Sequence, residues 1–124
     1  MSDELTIVIQ KRDAAQVQLS KLKDEVKQLE NEVTELEKQI WEGTSNVDDV
    51  RSKCRELNER VTQSTLKVDG VEVSRDLTTT AIKNDNRPLA KDLARLLIRR
   101  KGCVKSLLDV GARIEDIEKD FKRK

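Results

Sequence analysis

Apolar residues recur at alternating steps of three and four along most of this chain. Leu19, Leu22, Val26, Leu29, Val33, Leu36 and Ile40 keep that rhythm through LSKLKDEVKQLENEVTELEKQIWE. Leu5, Val8 and Ala15 extend it backward, broken only by Arg12. Such a seam belongs to a coiled-coil helix and is unstable facing water. It predicts a first helix over about residues 2–42, roughly 60 Å long at about 1.5 Å per residue. Gly43 ends that helix, and Thr44, Ser45 or Asn46 caps the next, with Asp48 and Asp49 favoured in its first turn.

Val47, Val50, Cys54, Leu57 and Val61 continue the rhythm in a second helix over about 46–66, until Ser64 weakens it. The stretch TLKVDGVEVSRDLTTTAIKNDNR is rich in β-branched residues and holds Gly70. Its pattern leaves three readings of the connector 67–86 open. It is a non-helical link, a continuation of the second helix with Val68 and Val71 on the seam, or a short LKV-DG-VEV hairpin on an Asp-Gly turn. Asn86 or Asp85 then caps a third helix over about 87–123, where Pro88 falls in a first turn that tolerates it. Leu89, Leu93, Leu96, Arg100, Cys103, Leu107, Val110, Ile114, Ile117 and Phe121 form its seam, and Leu97, Ile98, Val104 and Leu108 widen the stripe. That width suits a helix with two neighbours.

Composition sharpens this picture. Charged residues make up 40% of the 124 and aromatics 2%, so aliphatic side chains must zip the helices together in a single domain, 1–124. The fold class expected is all-α: an elongated coiled-coil or bundle of two or three long helices. Residues 1–43 carry six basic and ten acidic residues, residues 87–124 twelve and six. Glu25, Glu30, Glu32 and Glu37 edge the first seam, and Arg51, Lys53, Arg60 and Lys67 edge the second. An antiparallel hairpin between these helices then sets Glu37 near Arg51 and Glu32 near Lys53 or Arg60. The competing arrangement is a parallel homodimer through the first helix, which opposes Glu to Glu.

Candidate chemistry is sparse. There is no His, no Gly-rich phosphate loop and no zinc-site spacing of the two cysteines, so neither an enzyme nor a cofactor or metal is expected. Cys54 and Cys103 read as small core residues or, alternatively, as a redox switch pinning two helices. Arg100, a charge on a seam, is the candidate for fixing register or oligomer state. Trp41 either closes the end of the assembly or anchors a partner. The partner-binding surface is assigned to Leu97, Ile98, Val104 and Leu108, with Arg99 and Arg113 at its rim and Trp41 at the far end. Arg95, Arg99, Lys101, Lys105, Lys122, Arg123 and Lys124 form a candidate basic surface.

Together these features describe a non-catalytic scaffolding or protein-interaction module that assembles with itself or with a helical partner, as an oligomer. The alternative is a basic-surface binder of nucleic acid or acidic membrane through the third helix. A third reading is a chaperone-like clamp. The acidic start and the Arg-interrupted LARLLI stretch offer neither a signal peptide nor a transmembrane segment. Two cysteines without a disulfide framework suit an intracellular, cytoplasmic or nuclear, setting.

Overall fold

The computed structural model describes residues 3–122, with side chains over 3–120. Four helices pack against one another: α1 (Asp3–Trp41), α2 (Val47–Asp69), α3 (Arg75–Lys83) and α4 (Arg87–Lys122). No strand occurs among the described residues, so the LKV-DG-VEV hairpin is not formed. Two further expectations need correction. The second helix continues to Asp69, past 66, and the connector holds a fourth helix, α3, that the sequence pattern did not resolve.

Local chemistry explains each boundary. α1 is closed just beyond Trp41 by Gly43, whose φ of 69° is the left-handed conformation glycine adopts without strain. Gly43 N–H donates to the Ile40 carbonyl and Thr44 N–H to that of Gln39, the paired bonds of a Schellman ending. Asn46 caps α2, its side-chain oxygen accepting from Asp48 N–H at 2.8 Å. α3 closes with the same paired bonds: Asp85 N–H reaches Ile82 O and Asn86 N–H reaches Ala81 O, with Asp85 itself left-handed at φ 55°. Asn86 then caps α4 by accepting from Leu89 N–H at 3.2 Å, and Pro88 follows within the first turn.

Ion pairs between the helices fix their directions. Lys53 and Arg60 of α2 both reach Glu32 of α1, at 3.0 and 2.6 Å, and Lys67 reaches Glu25 at 3.0 Å. Numbers rise on one helix as they fall on the other, so α1 and α2 are antiparallel. Arg12 pairs with Asp92 at 2.9 Å, and Arg113 pairs with Glu37. α4 therefore runs parallel to α1. Glu37 faces Arg113 of α4 instead of Arg51, which corrects one expected pair. Arg12, the break in the α1 seam, is the residue that reaches across to α4.

The seams meet as one core. Leu19, Leu29, Val33, Val50, Leu57, Leu96, Val110 and Ile114 are among its residues, each 2% exposed or less. Ser64 sits inside it at 4% exposure, and its hydroxyl donates to Glu25 Oε2 at 3.4 Å. A second cluster, of Val8, Ala81, Leu89, Ala90 and Leu93 with Leu5, Ile9 and Leu77 against it, joins α3 to the starts of α1 and α4. Lys11 reaches Glu72 at 3.3 Å in the α2–α3 link, so α3 continues the course of α2 along α1. Within that link Val71 and Val73 are buried and Glu72 is exposed. The alternation that suggested a strand is real, but it plugs the gap between two helices.

The Glu32 node gives a pH test. Hydrogen bonding to Arg60, helped by Lys53 and opposed by burial, holds its carboxyl below the ordinary 4.5. A lowered folded-state value means that the stabilisation is full at neutral pH and is lost as pH falls below about 4.5 and through the folded value. Glu32→Lys should lower stability by about 1–2 kcal/mol, and adding Lys53→Glu and Arg60→Glu should return part of it. Glu32→Gln should flatten the acid limb of a denaturation series. No recovery in the triple variant would contradict the pairing.

Candidate interaction surfaces

The residues singled out by sequence do not form one surface. Leu97 and Val104 are half-buried and pack on the core, so they are only partly available to a partner. Ile98 and Leu108 are each 70% exposed. Trp41 is 90% exposed, so it does not close the end of the assembly. Arg113, expected at the rim of a docking face, is occupied within the chain. Its guanidinium binds Glu37 and donates to Thr34 Oγ1 at 2.9 Å.

Arg100 has a local task. Its Nε donates to the Val68 carbonyl at 3.2 Å, in the last turn of α2. Val71 N–H shares that carbonyl, while Gly70 N–H satisfies those of Leu66 and Lys67. A cation here meets the negative end of the α2 dipole where the chain breaks at Gly70. Arg100 thus holds the α2 end against α4.

The basic cluster divides between two faces. Arg99 lines an open groove between α1 and α4 together with Lys23 and Lys27; Leu19, Val26, Gly102 and Cys103 supply its apolar lining. Arg95 lies one turn earlier on the same side of α4. None of these four cations has an ion-pair partner among the described residues. Lys101 and Lys105 occupy the opposite, outer side of α4 and are exposed. The side chain of Lys122, and Arg123 and Lys124 altogether, lie outside the described residues. The groove cations on α1 were missed in the sequence because only the parallel packing of α1 on α4 brings Lys23 and Lys27 beside Arg99.

Helix packing also segregates charge lengthwise. Residues 11–27 of α1 hold five basic and three acidic side chains, and residues 87–105 of α4 hold seven and one. Farther along, residues 28–42 hold one basic and five acidic, and residues 106–120 two and five. Because the two helices are parallel, their gradients add: one half is basic and the other acidic.

Both cysteines are free and buried, at 1% exposure for Cys54 and 8% for Cys103. Burial pushes both thiols up, aided by Glu118 at Cys54 and opposed by Lys23 at Cys103. Cys103 lies level with Lys23 of α1, whereas Cys54 lies near Glu118, farther along α4. The offset is about fifteen residues, roughly 22 Å of helix, far beyond the span of a disulfide. The redox switch between these two positions is therefore ruled out in this fold.

No metal-binding group of His, Cys, Asp and Glu, and no helix long and apolar enough to cross a membrane, occurs among the described residues. Comparison with protein-family models, with curated proteins and with solved structures returns no match.

The cysteines should behave as core residues. Cys54→Ala should cost about 1 kcal/mol or somewhat more in a denaturant titration, and Cys103→Ala slightly less. A thiol reagent should modify the native protein only at the rate of opening. Immediate stoichiometric labelling would contradict the burial.

Proposed function

We propose that this chain is a non-catalytic helical interaction module, built on a coiled-coil-like bundle, that assembles through the outer face of α4. One observation carries this reading. The core of the chain is covered by its own helices, yet Leu108 and Ile98 remain 70% exposed beside the half-buried Leu97 and Val104. Exposed aliphatics that adjoin a core edge extend a surface that a neighbour completes. Oligomeric or helical partners meet that need; small-molecule chemistry does not use it.

A specific observation also favours a second reading, a polyanion binder. Lys23, Lys27 and Arg99 line the α1–α4 groove with Arg95 one turn away, and none of the four is held in an ion pair among the described residues, although Asp24 and Glu30 share the lining. Phosphate contacts of this kind bring steep salt dependence. No aromatic residue stands among them, so stacking on bases is not part of it.

A photoreactive side chain at position 108, activated in cells making the protein, should give protein adducts of discrete mass. The same group at Arg55, exposed on the outer side of α2, should give none. Salt-sensitive nucleic-acid binding that is lost in Arg95→Gln with Arg99→Gln, with no adduct from position 108, would replace the first reading by the second.

A further inference from the structure

We infer that the outer flank of α4 is self-complementary: a second copy of this chain docks on it antiparallel, with Leu108 at the two-fold axis. Lys101 then lies opposite Glu115 of the partner subunit. This rests on the interaction-module reading and names the occupant of its surface.

The first support is a second stripe on α4. Leu97, Lys101, Val104, Leu108, Ala112 and Glu115 follow one another at steps of four and three, the spacing of a helix–helix seam. They lie beside the core seam and on the side away from the α1 groove. The chain covers this stripe incompletely: Leu97 and Val104 are half-buried, and Lys101, Leu108, Ala112 and Glu115 are exposed. A Cβ added at Gly111 would meet nothing within 4 Å. The glycine therefore serves no close approach within the chain, although glycine inside a helix is destabilising against alanine. A backbone arriving from outside at Gly111 and Ala112 would use that space.

Register supplies the second support. In an antiparallel pair centred on Leu108, positions equally distant from it on either side meet. Lys101 meets Glu115 of the partner subunit, Val104 meets the partner's Ala112, and the two Leu108 side chains pack on each other. Two-fold symmetry makes the Lys101–Glu115 and Val104–Ala112 contacts twice and the Leu108 contact once, on the axis. Lys101 has no ion-pair partner among the described residues, and Glu115 has only the exposed Lys119, at 3.4 Å.

Charge along the whole molecule agrees. In this register residues 96–105 of α4, four basic and none acidic, would lie along residues 111–120 of the copy, four acidic and two basic, and the gradient of α1 has the same sense. A parallel copy would set like charge on like. An acidic helix from another protein would satisfy Lys101 and Lys105 but would be repelled at Glu115 and Asp116. A second copy answers both ends at once.

The full chain should be studied by sedimentation and by oxidative trapping. Wild type should dimerise reversibly in the micromolar range. Lys101→Glu should weaken the dimer roughly tenfold or more by opposing like charges twice. Lys101→Glu with Glu115→Lys should restore it to within a few-fold, because the swapped charges are again opposite. Leu108→Cys should form a covalent dimer under mild oxidation, and Arg55→Cys should not. These positions are exposed, and unchanged circular dichroism would separate a docking defect from misfolding. A wild type that stays monomeric at high micromolar concentration overturns the inference, and so does a dimer that the double swap leaves weak. Adducts of position 108 with a different protein, beside a monomeric wild type, overturn the second copy and leave the interaction module standing. Loss of all adducts at that position removes the module itself.

Discussion

The fold depends on a mismatch in length. α1 has 39 residues and α2 has 23, so an antiparallel α2 leaves the first part of the α1 seam bare. At about 1.5 Å per residue the uncovered length is roughly 24 Å, and it includes Leu5 and Val8. Exposing a large aliphatic costs on the order of 1.5–3 kcal/mol. The chain answers with a break at Gly70 and a second, shorter helix, α3, that seals Val8 with Ala81 and Leu77. Only after the whole of α1 has been matched does α4 return alongside it, parallel, over nearly its full length.

That break needs its own support, and Arg100 provides it. A charged residue on an apolar seam ordinarily weakens a helical core. Here its guanidinium shares the Val68 carbonyl with Val71 N–H at the end of α2, where the helix dipole favours a cation. The same residue therefore ties α4 to the one place where the middle of the fold is interrupted. Arg12 does the corresponding work near the start of α1, turning a seam break into a link with Asp92. Both charges that look like flaws in a linear pattern are cross-links between helices.

Much of this was legible in the residues. The three-four seams, Gly43, Asn46, Asn86 and the pairing of Glu32 with Lys53 and Arg60 all follow from local rules that need no tertiary knowledge. What escaped is what depends on a third helix. DLTTTAIK has the length of two turns and few apolar positions, so its helix exists because Val8 and Leu89 need Ala81. The hairpin register alone sets Glu37 near Arg51, because it contains no third helix; α4 brings Arg113 to Glu37. The same gap hid the groove, since Lys23 and Arg99 are neighbours only when α1 and α4 run in one direction. Leu97 and Val104 looked like surface because the width of a stripe does not say which of its edges the chain itself covers.

Parallel packing of α1 and α4 has a further consequence. Within one chain it is unfavourable, because basic lies near basic at one end and acidic near acidic at the other. The cost is small while the charged side chains sit at exposed edges and are screened. Among the described residues, the ion pairs that bridge the two helices are Arg12 with Asp92 and Arg113 with Glu37. The result is a molecule with a lengthwise charge gradient that its own fold does not cancel. A gradient of that kind steers an approaching body into one orientation before any apolar contact forms. In the proposed dimer the apolar contact at Leu108 could then be modest, because direction would already be selected by the field of the whole helix pair.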